Sequence, residues 1–477
     1  VAYRIIPDRR EIKIKIYYEN EIDFNPSIGT VNRAKVICQC CGATKSPDET
    51  RSQITKNQGE SIPLIEIRKY KKVQGKFYYP VEQYDSKKQN NIDKEIKTIC
   101  DDLKELWTIE PLPDEPIPDG KGSGAERAFT LKNYGFEKWG DIFNSRQKLM
   151  LITFCSILRK IFDEINDVYK DEEYKKAIIL YLVFAFDRIL GYGSTLCVLN
   201  ATGGRGVTHT FSKPTLSFSW DYMEANPFFE DAAGWKTSRK KNEKFIETNS
   251  CVFNSKAKIL QESATNLSYK DNSFDAVFTD PPYYDNIPYS GLSDFFYVWQ
   301  KRLLLKFYPE LFSTPLTPKS NEIVAYSHFE EGLAGGMLFF EDMLYKSFCE
   351  INRVLKPDGI AYIVYAHKSL SAWETMINSL LKAGMILTAS WPINTERKGR
   401  LRSKDSAALS SSIYMVCRKR NTNETSYYNE IKPAIENRIH EKLDQFWAEG
   451  IGGSDFFISA IGPAVEVFSK YASVEKL

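Results

Sequence analysis

The chain has 477 residues, 43% of them hydrophobic, enough to bury a large core and build two or three domains. Its formal net charge of +2 excludes a globally basic protein, so any polyanion would be met by a local patch. No apolar run is long enough to span a bilayer and no stretch reads as a signal peptide; nine cysteines without a dense framework suit a reducing cytoplasm.

In chain order, "EIKIKIYY" and "KFYYPVEQY" read as short strands, followed by a charged helical run and by "EPLPDEPIPDGKGSGAE", a Pro- and Gly-rich linker. From "NSRQKLMLITFCSILRKIFDEI" to Leu190, apolar residues recur at three- and four-residue spacing and predict helices. Between Thr215 and Arg420 strands and helices alternate. "TLSFSW", "KAKIL", "FDAVFT", "GIAYIVYA", "MILTASW" and "SSIYMVCR" are the strands, with helices such as "FFEDMLYKSFCEINRVL" between them. This pattern predicts an α/β doubly wound sheet whose last two strands pair as an antiparallel edge hairpin. A helical tail follows. The expected divisions are an accessory region with its linker at 1–120, a catalytic region at 121–425 and the tail at 426–477.

The chemistry concentrates in "FDAVFTDPPYYDNIPYS". "DAVFTD" reads as a buried parallel strand ending at Asp280, and the carboxyl edge of an open sheet is where ligands bind. Pro281 and Pro282 supply no N–H, which stiffens the chain and leaves carbonyls unpaired. Tyr283 adds a flat ring. A carboxylate, free carbonyls and an aromatic plate make a cradle for a planar group bearing an amino donor; the plainer account is a strand followed by a stiff turn.

The order of these elements, together with "NYGFEKWGDIF", "SWDYMEANPF", "TPLTPK", "SAWETM" and "ASWPINTERKGRLR", resembles the adenine-specific DNA methylases that carry a Zn-ribbon insertion. The resemblance spans Val36 to Tyr471. It implies a Rossmann-like class I methyltransferase sheet, S-adenosylmethionine as cofactor, DNA as partner, and methyl transfer to the exocyclic N6 amine of a flipped adenine. In that reading Asp280, Pro281, Pro282 and Tyr283 hold the base, with hydrogen bonds and position doing the catalysis. No cysteine lies near the loop, so the covalent route to cytosine C5 does not apply. The resemblance also puts Ser263, in "ILQESATNLSYK", near the cofactor adenine, although a plain strand-end turn accounts for it equally. Asp221, in "FSWDYMEANPF", is either a ribose or substrate contact or a helix cap.

Three further expectations complete the reading. A Gly-rich turn after a first strand is missing; "TLCVLNATGGRGV" is a weak substitute, so an upstream half or a separate subunit is expected to supply it. Cys38 and Cys41, in "VICQCCGATKSP", have the spacing of one zinc knuckle, and the second is likewise expected upstream, giving a Zn-ribbon and a bound zinc only in a longer protein. "NTERKGRLRSKDS" carries Arg397, Lys398, Arg400 and Arg402. If the strands on either side run antiparallel, this loop leaves at the edge of Asp280 and meets DNA phosphates; otherwise it is a solvated loop. The alternatives are a nucleic-acid-binding subunit or fragment that lacks the cofactor half, and the same chemistry on RNA or a protein amide.

Overall fold

The alternation of helical and strand periods sorts the chain into two units. The first comprises Val1–Gly120, Glu126–Ser255 and Tyr289–Lys319, and the second Lys121–Ala125, Lys256–Pro288 and Ser320–Leu477. The computed structural model describes residues 1–8, 11–32, 34–57, 61–70, 72–81, 86–119, 128–200, 206–250, 257–282, 287–325, 332–367, 370–394, 411–452 and 454–475. Among them no helix is long and apolar enough to cross a membrane.

The first unit opens with an antiparallel pair, β1 (Ala2–Asp8) and β2 (Glu11–Tyr17). A small three-stranded sheet follows, made of β3 (Val31–Asn32), β4 (Lys35–Ile37) and β5 (Thr44–Lys45), then α1 (Pro47–Asn57). Next come the pair β6 (Ile65–Arg68) and β7 (Phe77–Pro80), and α2 (Ser86–Trp107). The helical core is α3 (Ser145–Val168), α4 (Glu172–Tyr192), α5 (Trp235–Asn249) and α6 (Tyr289–Leu304). Asn144 starts α3 with a reciprocal capping box: its side chain accepts from Gln147 N at 3.0 Å, and the Gln147 side chain accepts from Asn144 N at 2.9 Å. Leu151, Cys155, Leu158 and Phe162 on α3, Val183 and Phe186 on α4, and Phe295 and Trp299 on α6 are all buried, at the three- and four-residue spacing that packs helices together.

The helical stretch 145–190, expected in the catalytic region, belongs to this first unit. The Pro-rich segment differs from the linker expected of it: Pro111, Pro113 and Ile117 are buried. Arg302, buried on α6, explains why. It donates to the carbonyls of Pro111 and Leu112 at 3.1 and 2.9 Å and to both Glu115 carboxylate oxygens at 3.0 and 3.1 Å. A proline offers no N–H but a full carbonyl, so this stretch suits a donor-only guanidinium. "TLSFSW" is not a strand either; only Leu216 bridges, to Phe129. Phe218 stacks on Tyr134 at 4.2 Å and meets Trp220 edge-on at 5.0 Å, so its aromatics pack as a cluster instead of pairing across strands.

The second unit is built on one four-stranded sheet. Its strands are β8 (Phe274–Thr279), β9 (Leu355–Tyr365), β10 (Met385–Asn394) and β11 (Ser411–Lys419), in the order β10-β11-β9-β8. β8 and β9 are parallel, with Phe278 opposite Tyr362 and Thr279 opposite Ile363. β11 runs antiparallel to both neighbours, so β10 is parallel to β8 and β9. The antiparallel hairpin is therefore present, but its second strand lies inside the sheet and β10 takes the edge. α7 (Gly332–Val354) and α8 (Leu370–Lys382) supply Phe340, Leu344, Phe348, Trp373, Met376 and Leu380 to a core shared with Ala361, Ile363, Ile413 and Met415 of the sheet. Gly384 closes α8 in the left-handed region at φ +75, where its carbonyl accepts from Asn352 Nδ2 at 3.0 Å.

The tail is helical as expected, with α9 (Tyr428–Ala448), α10 (Ser454–Ser459) and α11 (Ile461–Phe468), plus a small parallel pair, β12 (Thr425–Tyr427) and β13 (Ser473–Glu475). Glu466 fastens α11 to β10: it is buried, accepts from Ser390 Oγ at 3.0 Å and pairs with Arg438 of α9 at 2.8 Å.

Two strand expectations fail here. "KAKIL" is exposed and unpaired into any strand over its described residues, with Ile259 87% exposed. β8 is not a buried strand: it is the sheet edge, and Phe278 is 66% exposed. Only Val277 turns inward onto the core. Continuous apolarity does not distinguish a strand flanked on both sides from an edge strand with a greasy outer face.

Candidate functional site

Asp280 follows β8 directly, one residue beyond the Thr279–Ile363 pair, at the carboxyl end of the parallel strands. Asp280 is exposed, Pro281 buried and Pro282 half-buried, so the two rings anchor the turn that carries the acid. Tyr283 lies outside the described residues. At the end of β9, Tyr365 OH donates to Ala372 O at 3.3 Å, and Trp373 Nε1 donates to His367 O at 2.9 Å. These bonds tie the β9 exit to α8.

β10 ends at Asn394 opposite Ser411, the first residue of β11. Both flanks of the basic loop thus stand at the same edge as Asp280, as its placement required. Arg397, Lys398, Arg400 and Arg402 themselves lie outside the described residues.

Ser263 sits in an exposed turn before β8. Its Oγ is 2.8 Å from Thr265 Oγ1, and it bridges to Asn266. The following residues are clamped by α7. Glu350 accepts from Leu267 N at 2.8 Å, while Arg353 donates to the carbonyls of Leu267 and Tyr269 at 3.0 and 2.7 Å and binds Glu350 through two nitrogens. Arg353, and then the Leu267 N–H, hold the Glu350 carboxyl at about 2 against the opposing cost of burial. Folded Glu350 thus takes up its proton less readily than unfolded Glu350. The clamp contributes fully above the ordinary glutamate range and is lost as pH falls from about 4.5 towards 2. Thermal melts across this interval should show the loss, and Glu350→Gln should flatten it; equal slopes for the two proteins would refute the clamp.

Asp221 belongs to the first unit and ends no strand. It accepts a hydrogen bond from Tyr3 of β1, whose hydroxyl is pushed up first by burial and then by the Asp221 charge. Its own carbonyl accepts from Ser219 Oγ at 3.1 Å. The carboxylate thus faces Tyr3 of the first hairpin.

Cys38 and Cys41 lie on the tight turn between β4 and β5. Cys38 N donates to Ala43 O at 2.8 Å and Gly42 N to Cys38 O at 2.9 Å, with Gly42 in the left-handed region at φ +72. The backbone N–H groups of Cys41 and Cys40 point at the Cys38 sulfur and lower its pKa, which favours the thiolate a metal needs. Among the described residues, no group of three or more His, Cys, Asp and Glu is placed to hold a metal ion.

One acid escaped the sequence reading. Asp187 interrupts "IILYLVFAFDRIL" on α4, and an acid in so apolar a helix was the available signal. Comparison with protein-family models, curated proteins and solved structures finds no match to this chain.

Proposed function

We propose that the chain is part of an S-adenosylmethionine-dependent methyltransferase system that modifies the exocyclic N6 amine of adenine in DNA, on a Rossmann-like sheet. The observation that carries this is Asp280 at the carboxyl end of a parallel strand, on a turn stiffened by two anchored prolines. The amine of a purine is a poor nucleophile because its lone pair is delocalised into the ring. Asp280 accepts one of its hydrogens and a carbonyl of the Pro281–Pro282 turn accepts the other, which holds the nitrogen and localises the lone pair. Tyr283 stacks on the extruded base. The cofactor supplies a methyl group on a sulfonium, and the Ser263 hydroxyl is chemically suited to its adenine amine. The test is mass spectrometry of DNA, RNA and protein from cells expressing the competent protein; methyl groups on RNA or protein with none on adenine in DNA would refute the assignment.

The basic loop serves the phosphates of the strand that holds the target. Neutralising Arg397, Lys398, Arg400 and Arg402 together should weaken binding similarly for all DNA sequences. It should also flatten the salt dependence, the slope falling by about one for each phosphate no longer neutralised. An unchanged slope would return the loop to solvent.

A further polypeptide, upstream in the same protein or in a separate subunit, adds to the sheet at β8 and brings the Gly-rich turn and the second zinc knuckle. The support is the edge of β8, open among the described residues, and a row of aromatics across the sheet that is exposed at its two ends. Phe278 lies 6.2 Å from each of Tyr362 and Tyr414, and Trp391, opposite Tyr414, is 41% exposed. Uncovered parallel edges are rare because they leave backbone groups unpaired and apolar faces wet. Residues 1–477 alone should therefore bind S-adenosylmethionine weakly and zinc substoichiometrically, and co-expression with the completing segment should raise both. Tight cofactor binding to this chain by calorimetry would overturn that account.

A further inference from the structure

The first unit holds a cavity of about 430 Å³ between α4 and α6, lined by Asp187, Ser293, Phe296, Tyr297, Gln300 and Thr317. Four of these recur at the spacing that puts residues on one face of α6. The cavity walls have little hydrogen bonding to offer. Tyr297 OH donates to Thr314 O at 2.8 Å, Ser293 Oγ to Ser290 O at 2.9 Å, and Thr317 Oγ1 to Asp294 Oδ1 at 2.6 Å.

Asp187 is different. Its Oδ2 accepts from Gln300 Nε2 at 2.8 Å, but its Oδ1 is out of reach of solvent and has no hydrogen-bond partner. Among the described residues, no lysine or arginine forms an ion pair with it. Burial, opposed only by the Gln300 hydrogen bond, pushes its carboxyl up to about 7. As a residue Asp187 is half-buried, but a carboxylate oxygen shut away without a partner is costly. A cation would relieve that cost, and the rings of Phe296 and Tyr297 give it a favourable wall.

We propose that this cavity binds a small organic cation, an ammonium or amidinium group on a compact apolar body, with Asp187 as its counter-ion. The volume is that of a small-molecule site: apolar walls around one orienting polar group. The cation's N–H donors meet the carboxylate from the cavity side, where a turn of the half-buried side chain brings Oδ1 out to them while Gln300 retains Oδ2. This site is separate in chemistry from the Asp280 turn, and its ligand is no part of the methyl-transfer reading.

The probe is benzamidine, with neutral benzamide as control, titrated calorimetrically into the whole chain at about pH 8.5, where the carboxylate is ionised. Benzamidine is expected to bind saturably and benzamide to bind far more weakly. Asp187→Asn keeps the shape and the Gln300 contact, and should weaken benzamidine by at least about tenfold. Ser293→Trp fills the mouth from an exposed position on α6 while leaving Asp187 in place, and should abolish binding even if the first variant fails to fold. No binding to the wild-type chain, equal affinity for benzamide, or benzamidine binding unchanged by Ser293→Trp would each overturn the proposal.

Discussion

Asp280→Ala is expected to reduce methyl transfer by on the order of a hundred- to a thousandfold, the cost of losing one well-placed hydrogen-bond partner of a developing charge. Asp280 itself is exposed, and Pro281 and Pro282 still anchor the backbone, so losing its local contacts should cost little stability. DNA affinity should also stay close to wild type, because phosphate contacts carry most of it. The loss should therefore appear in kcat and leave KM nearly unchanged, the signature of an interaction made in the transition state. Asp280→Asn retains one acceptor oxygen and should fall between the two. A fully active Asp280→Ala protein, assayed together with whatever segment completes it, would end the proposed role.

Arg302→Ala carries the largest expected effect on stability. The guanidinium is 1% exposed and makes a bidentate pair with Glu115, whose side chain is itself 12% exposed. It also donates to Val298 O at 2.6 Å, besides the carbonyls of Pro111 and Leu112. Alanine would strand a largely buried carboxylate and the carbonyls of Pro111 and Leu112 at once, with a cost of about 3–5 kcal/mol. That is a large share of the stability of an ordinary domain, and the melting temperature should fall by on the order of 10 °C. Arg302→Lys should rescue little, because an ammonium cannot reproduce the planar fork. A loss of less than about 1 kcal/mol in urea unfolding would mean that solvent reaches these groups when the arginine leaves.

Side-chain periodicity and backbone chemistry were enough to read several elements from the sequence. The three- and four-residue spacing in "KLMLITFCSILRKIF" predicts α3, because a helix that must bury one face has little other choice of pattern. The apolar runs of β9, β10 and β11 are legible for the same reason, and so is the position of Asp280 at a strand end, since a proline pair cannot continue a ladder. Cysteine spacing predicts a zinc knuckle at Cys38–Cys41, and the backbone there is a turn closed by Gly42 in the left-handed conformation.

Tertiary structure alone decided the rest. Apolar composition in "FDAVFT" is the same whether a strand is flanked on one side or two, so only the sheet order reveals β8 as an edge. The Pro-rich stretch looks like a linker until Arg302, almost two hundred residues later, uses its carbonyls. Asp221 reads as the end of a strand, yet no strand forms there, and its carboxylate faces Tyr3, more than two hundred residues earlier. Asp187 and Gln300 meet only because α4 packs beside α6. Local physics acts between near neighbours and leaves its period in the sequence. A contact between distant residues has no period, so it becomes visible only once the chain has folded.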